Sequence, residues 1–501
     1  MRYSPAAWGG FRQHSCRALQ FIAFLIQFVG LVALPGRLVG AQEEPPRPNF
    51  VIVLCDDLGY GDLQCYGHPH IKTPNLNRMA GEGLRLTNFY SAAPVCSPSR
   101  VGLLTGRSPN LAGVYDWIPP ATRPQDDLRD LVHLRREEIT LPQLLSDAGY
   151  ATCLVGKWHC NSKFNSNAQP QPNDAGFDYW FATQNNAAPS HENPNNFVRN
   201  GEPVGPIEGY SCQIVVDEAI RWLEQQRTVG SDQPFFLYVA FHEPHEPVAS
   251  PPELVAQYLD VARNEDEAQY FANVANVDVA VGRLFDALKR LDVDSNTVVV
   301  FTSDNGPETL RRYARARRSY GRPGPLRGMK LWTTDGGFRV AGILRWPAGL
   351  QRRGESDEVV SALDLLPTFC RLAGADIPAT RELDGIDLSP LLRGQSIERP
   401  RPLLWCYYNA LNEHQVAMRH GPWKMLAKLD HGQLPRFQNV HRGNVQRVHA
   451  ARLTDFELYH VTDDIDESDN LIDQVEESPR LRELMEREYR RLVDASLVWS
   501  R

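Results

Sequence analysis

Six short stretches of this chain carry side chains suited to chemistry. "CSPSR" sets Cys96 two residues before Pro98 and four before Arg100, where a short apolar helical pattern begins. A cysteine there reads either as a buried structural thiol or as a reactive group in the positive field of a helix start. "CDD" ends in Asp56 and Asp57, and "SDNG" supplies Asp304 and Asn305. All four are oxygen donors of the kind that hold a hard cation such as Ca²⁺ or Mg²⁺, although each could equally cap a turn. "GKWH" gives Lys157 and His159, "HEPHEP" gives His242 and His245, and "GMK" gives Lys330. Lysines usually end up solvated on the surface. Together, however, Arg100, Lys157 and Lys330 offer fixed positive charge, and the histidines exchange protons near neutral pH. Cations gathered around a metal suit an oxyanion such as sulfate or phosphate. Of the two histidines in the Pro-rich loop, His245 is preferred for chemistry over His242.

Four apolar runs have to position these groups. Phe50 to Cys55 precedes Asp56, and a run through Val155 precedes Gly156 and Lys157. Phe235 to Phe241 precedes His242, and Val298 to Phe301 precedes Asp304. Short runs rich in Val, Ile, Leu and Phe, without alternation, suit strands buried on both faces of a parallel sheet. Helical patterns at Thr140 to Ala148 and Val274 to Leu291 lie between them, which predicts an open α/β sheet. Such sheets bind ligands beyond the carboxyl ends of their strands. Four runs ending in charged or ligating residues therefore point to one active-site rim, and Asp56 and Asp57 matching Asp304 and Asn305 point to metal ligation rather than capping.

The chain has 501 residues, 42% hydrophobic and 23% charged, with a net charge of -8. This is an ordinary globular composition, and the negative charge argues against general nucleic-acid binding. Arg2, Arg12 and Arg17 precede an apolar run from Ala18 to Leu34, and Val39-Gly40-Ala41 offers a cleavage site. Residues 1–41 thus read as a secretory signal and the protein as exported. The competing reading is an uncleaved membrane anchor, but the run is shorter than the roughly 20 residues of a spanning helix and is broken by Gln27 and Gly30, so cleavage, with no stable membrane insertion after it, is expected. Of nine cysteines, Cys16 would leave with the signal, and the rest are too scattered to imply a disulfide framework.

Read together, these blocks resemble the sulfatase family. "CSPSRVGLLTGR", "VIVLCDDLGYGD", "GKWH", "HEPHEP", "SDNG" and "GPLRGMKLWTTDGGFRV" match in the family's order, and "ELYHVTDDIDESDNL" looks like its closing segment. The resemblance implies an alkaline-phosphatase-like α/β fold, a large mostly parallel sheet flanked by helices, with a smaller C-terminal antiparallel sheet and a terminal helix. It also implies that Cys96 is oxidised to formylglycine by a formylglycine-generating machinery. One hydroxyl of the aldehyde hydrate would attack sulfur, and the other would then collapse to expel sulfate. Asp56, Asp57, Asp304 and Asn305, joined by the modified Cys96, match the divalent-metal ligands, usually Ca²⁺, with Mg²⁺ as the other candidate. Arg100, His159 and Lys157 would orient and activate the hydrate, Lys330 would bind sulfate, and His245 would protonate the leaving oxygen.

The expected substrate is an aryl or, more in keeping with nature, a carbohydrate sulfate. A phosphate or phosphonate monoester hydrolase of the same architecture and a non-catalytic sulfated-glycan binder are the alternatives. Asp335 stands where the family usually has Glu, and Ala341 where Pro is common; neither is a catalytic position. A catalytic domain is expected over 42–399 and a small α+β subdomain over 400–501. In the latter, "PRPLLWCYYN" and "QVAMRHGPWKMLA" read as half-buried strands and "SPRLRELMEREYRRLVDA" as an amphipathic helix. Loops at Asn161 to Gly176 and Asn185 to Asn200 are expected to shape the substrate pocket. Arg311, Arg312, Arg315, Arg317, Arg318 and Arg322 fall between two active-site blocks and are expected beside its entrance, either as a solvated basic loop or as a clamp for a polyanionic chain.

Overall fold

Unable to alternate between core and solvent, the apolar run after Asn49 forms strand β1 (Asn49–Asp56), all of it buried. The computed structural model describes residues 47–228, 232–309 and 316–501; the signal-like segment and Arg311, Arg312 and Arg315 lie outside them. The other main-sheet strands are β2 (Leu84–Tyr90), β3 (Ala151–Lys157), β4 (Tyr179–Thr183), β5 (Val198–Arg199), β6 (Glu202–Pro203), β7 (Phe235–Pro244), β8 (Thr297–Ser303), β9 (Arg339–Arg345), β10 (Gly354–Ser356) and β11 (Val360–Ser361). The order is β10-β2-β9-β8-β1-β7-β3-β4-β5-β6, with β11 also on β2. The central five, β8-β1-β7-β3-β4, are mutually parallel, while β9 joins β8 antiparallel. The sheet is therefore mostly parallel at its centre and mixed at its flanks, as the apolar runs predict.

Both faces of this sheet are covered. Along β1, Val51, Val53 and Cys55 join one buried cluster with the helices Ser211–Thr228 and Glu265–Arg290. Phe50, Ile52 and Leu54 join another with Cys96–Thr105, Leu141–Asp147 and Leu365–Ala373. The second helix begins nine residues earlier than the pattern from Val274 suggests. Asn264 caps it by accepting from the Glu267 N–H, and acidic residues fill its first turn, complementing the helix dipole.

A second sheet, β12 (Leu403–Cys406), β13 (Val416–His420), β14 (Trp423–Leu429) and β15 (Leu453–His460), is antiparallel throughout. β12, β13 and β14 are more buried than the expected half. Met418 and Met425 pack on Leu481, Met485 and Tyr489 of the terminal helix Ser478–Ala495. The other face, through Trp405, Ala417 and Leu426, packs on Tyr90 and Phe338 of the large sheet's layer. Residues 46–501 thus form one compact unit.

Asp335 stands at this seam. It accepts from Lys424 Nζ at 2.7 Å, Tyr90 Oη at 2.9 Å and Arg339 Nη1 at 3.3 Å. Burial raises its proton affinity, but the Lys424, Arg339 and Arg419 charges overcome that and hold it below the usual carboxylate range. Glu467, 3.3 Å from the same ammonium, is pushed upward by its burial and by the Asp335 charge. Lys424 has no exposed surface, so removing it leaves buried carboxylates uncompensated. Lys424→Met should lower the unfolding free energy by about 3–5 kcal/mol. An unchanged denaturant midpoint would show that this ion pair does not hold the seam.

Candidate active site

The strand order explains why distant blocks meet. β8, β1, β7 and β3 are neighbours and parallel, so their carboxyl ends lie along one edge. That edge presents Asp304 and Asn305 after β8, Asp56 and Asp57 from β1, His245 after β7, and Lys157 and His159 from β3. The backbone there is unusual. Asp57 (φ 65°), His159 (φ 52°) and Leu331 (φ 68°) are left-handed without being glycine, a conformation that surrounding structure must enforce. Gly156 has φ +105°, and a Cβ on it would lie 1.8 Å from the Ala240 carbonyl oxygen of β7. Only glycine allows β3 to run this close while delivering Lys157.

The acidic groups are buried and each meets a cation. Lys157 Nζ lies 2.5 Å from Asp56 Oδ2. Lys330 Nζ lies 2.6 and 2.8 Å from the two Asp57 oxygens. Arg100 Nε donates to Asp304 Oδ2 at 2.9 Å, and its Nη1 to the Lys157 carbonyl at 3.1 Å. Asn305 Nδ2 donates to Asp57 Oδ1 at 2.7 Å, and the Asp57 N–H reaches Asp304 Oδ1 at 3.3 Å. Burial would raise Asp56, but Lys157, His245, Arg100 and Lys330 together hold it well below the usual range. Asp304 goes the other way, pushed up to about 7 by burial and then by the Asp56 charge, against Arg100.

Several observations test whether this set fits a cation. Asp56 Oδ1 and Asn305 Oδ1 are buried without a hydrogen-bond partner, which is costly unless something electropositive meets them. His245 turns Nδ1 to the Glu246 carbonyl at 2.6 Å. That leaves Nε2 as an acceptor 3.6 Å from Asp57 Oδ2, two lone pairs face to face. Asp56, Asp57 and His245 bring ligand atoms within 4.8 Å of one another, a grouping the sequence reading did not contain. The oxygen-rich donor set fits a hard divalent cation.

Cys96 is the first residue of the helix Cys96–Thr105 and is 3% exposed. Burial pushes its thiol up to about 11, despite Lys157 and Lys330 nearby. That direction favours the protonated thiol over a helix-start thiolate for the unmodified cysteine. His159 sets Nε2 3.0 Å from the Ile118 carbonyl, so that nitrogen bears the proton and Nδ1, which has no partner, is the basic one. Burial, reinforced by Lys157 and Arg100, holds the ring well below its usual pKa and neutral.

Above these groups opens a cavity of about 500 Å³, reached by Cys96, His159, His245 and Lys330. Arg100 and Lys157 are fully buried behind the carboxylates and do not line it. The lining also includes Trp117, Asn185, Asn186, Asn409 and Gln438, of which sequence reasoning missed Trp117, Asn409 and Gln438. The stretch from Asn185 was expected to shape the pocket, but Asn409 and Gln438 come from the C-terminal region, outside 42–399. The described arginines of the basic segment do not line the cavity. Arg318 is held by Asp266 and the Val248 carbonyl, while Arg317 and Arg322 are exposed.

A large, centrally parallel α/β sheet with this cluster at its carboxyl edge defines a hydrolase of the alkaline-phosphatase-like fold. The chain belongs to the sulfatase family, the sulfuric ester hydrolases, whose model matches residues 48–375. The model described as N-sulphoglucosamine sulphohydrolase, C-terminal, matches residues 329–431. N-acetylgalactosamine-6-sulfatase of Canis lupus familiaris is 37% identical over 387 residues, 74% of this chain and 71% of that protein. Arylsulfatase A of Homo sapiens is 35% identical over 424 residues, 79% and 76% of the two chains. The solved structure of Ps i-CgsB in complex with k-i-k-neocarrahexaose is 26% identical, with a TM-score of 0.73 over 90% of this chain and 94% of that one.

A bound cation at one hundred times its Kd should add about 2.7 kcal/mol of stability. Millimolar Ca²⁺ should therefore raise the thermal midpoint of the chelator-treated protein and leave that of Asp57→Ala unmoved. No response from the unsubstituted protein would reject the cation site.

Proposed function

We propose that this chain hydrolyses sulfate monoesters of saccharides, with formylglycine made from Cys96 and a divalent cation, Ca²⁺ in the first instance, held by Asp56, Asp57, Asp304 and Asn305. The observation that carries the reading is the position of Cys96: at a helix start, on the cavity wall, beside His159, His245 and Lys330. The names of the relatives, a hexosamine sulfatase and a complex with a neocarrahexaose, support a saccharide.

The aldehyde hydrate of formylglycine supplies a nucleophile with two hydroxyls on one carbon, and the cation supplies Lewis acidity toward sulfate oxygen. The chain's own residues do the rest. Lys330 holds the sulfate by charge. His159 takes a proton at Nδ1, its Nε2–H being spent on Ile118. His245, once protonated at Nε2, gives that proton to the leaving oxygen, its Nδ1–H being spent on the Glu246 carbonyl. Arg100 and Lys157 hold Asp304 and Asp56 in place and keep the site electropositive as sulfate charge develops. Cys96 in its full signature favours sulfate over phosphate. The pattern of residues 1–41 supports export, and the modification requires a formylglycine-generating machinery in the producing cell.

Protein produced with that machinery should show the aldehyde at position 96 by peptide mass spectrometry. It should also turn over an aryl sulfate much faster than the matched aryl phosphate. Cys96→Ala should lose at least about a thousandfold in kcat; full turnover by that variant would overturn the mechanism.

A further inference from the structure

Proton donation from His245 requires its ring to be aimed, and the aim is set outside the cavity. The Glu246 carbonyl accepts from Nδ1–H at 2.6 Å, which leaves Nε2 3.6 Å from Asp57 Oδ2. The terminal torsion of histidine is soft, so the ring follows any movement of that carbonyl. The carbonyl belongs to a stretch, His245 to Val248, that lies between β7 and the short helix Pro252–Val255, and Pro247 within it has no N–H to donate. The ties that hold it come from elsewhere. The Glu246 carboxylate is buried and accepts from the Val248 N–H at 2.9 Å and from the Arg318 N–H. The Arg318 guanidinium donates through Nη1 to the Val248 carbonyl at 2.5 Å and through Nε to Asp266 Oδ1 at 3.1 Å. The Pro247 carbonyl accepts from the His191 N–H at 3.2 Å.

Arg318 therefore grips both ends of the Glu246–Val248 stretch and ties them to Asp266, in the first turn of the helix Glu265–Arg290 that packs on the sheet. Its neighbours in the basic segment differ. Arg317 and Arg322 are exposed, whereas Arg318 is half-buried. The planar guanidinium serves two acceptors at once in a fixed geometry that the single ammonium of lysine does not reproduce. We propose that Arg318 is the positioning residue for His245: by holding Glu246 and Val248 it keeps the Glu246 carbonyl on Nδ1 and Nε2 aimed at the leaving oxygen. This rests on the sulfatase reading above, with His245 as the proton donor. The basic segment then serves catalysis by orientation rather than as a clamp for a polyanionic chain. When the sulfur–oxygen bond breaks, its electron pair stays on the leaving oxygen, which takes the Nε2 proton. A leaving group that is stable as an anion needs that proton little, and a more basic one depends on it.

The test uses the modified full-length enzyme with two aryl sulfates, 4-nitrophenyl sulfate, whose leaving group is stable as an anion, and phenyl sulfate, whose leaving group is more basic. Arg318→Met should lower kcat/KM for phenyl sulfate by about tenfold, since misplacing a catalytic group by about 1 Å costs up to about a hundredfold. For 4-nitrophenyl sulfate the change should stay below about threefold. Arg318→Lys and Glu246→Gln are milder changes that should give the same selective loss at smaller size, and they decide the matter where Arg318→Met does not fold. His245→Ala should show the selective loss in full. Adding Arg318→Met to it should cost nothing more on either substrate, because a residue that acts through His245 then has nothing to act on. A uniform loss on both substrates, an additive double variant or no loss in any Arg318 or Glu246 variant overturns the proposal, as does an equal effect from Arg317→Met. Equal losses on both substrates in His245→Ala would remove the proton-donor role and the proposal with it. Absence of turnover by the unsubstituted enzyme would overturn the sulfatase reading itself, and this inference with it.

Discussion

Three carboxylates buried together at one end of a parallel sheet are the constraint on which this structure turns. Asp56, Asp57 and Asp304 have almost no exposed surface, and a low-dielectric interior does not tolerate such a concentration of negative charge. Each is matched by one cation from a different part of the chain: Lys157 from β3, Lys330 from the loop before β9, and Arg100 from the helix Cys96–Thr105. Cys96 lies one helical turn before Arg100. The Arg100–Asp304 pair therefore sets the helix start over the carboxylates and, with it, the position of Cys96.

Charge balance at the site is nevertheless incomplete in its hydrogen bonding. Asp56 Oδ1 and Asn305 Oδ1 lack partners, and His245 turns a lone pair toward Asp57. The left-handed backbone at Asp57, His159 and Leu331 shows where the fold accepts strain to aim side chains. His159 and Leu331 themselves line the cavity, and Asp57 pairs with Lys330, which also lines it. Strain and unpaired acceptors at one place are what a preorganised electrostatic site requires, since its groups must be oriented before the substrate arrives.

The small sheet does more than terminate the chain. Its Lys424 neutralises Asp335 next to the glycine pair Gly336-Gly337, and the segment after β12 carries Asn409 to the cavity. Asp335, a departure from the family's usual Glu, is thus fully engaged in the seam. The buried charge cluster lies at the edge of the large sheet, but the cavity above it is lined from both layers.

Much of this was present in the sequence by itself. Non-alternating apolar runs ending in Asp, Lys or His determined buried parallel strands and a functional carboxyl edge, because a strand covered on both faces has no polar positions to spare until it leaves the sheet. The spacing from Cys96 to Arg100 determined a helix start with a cation one turn in. Tertiary structure alone decided the strand order that puts β8, β1, β7 and β3 side by side, and which cation meets which carboxylate. It also decided that Arg100 and Lys157 lie behind the site rather than in the cavity. The rest of the cavity lining was only partly legible: the loop from Asn185 was expected at the pocket, but Trp117 and Asn409 are unremarkable residues in loops, with no periodicity or spacing to single them out. They become a surface only because the Asp116 carboxylate, which accepts from the Trp117 N–H and from Asn409 Nδ2, and the packing of two sheets bring together chain segments hundreds of residues apart, and such long-range contacts leave no local pattern in a sequence.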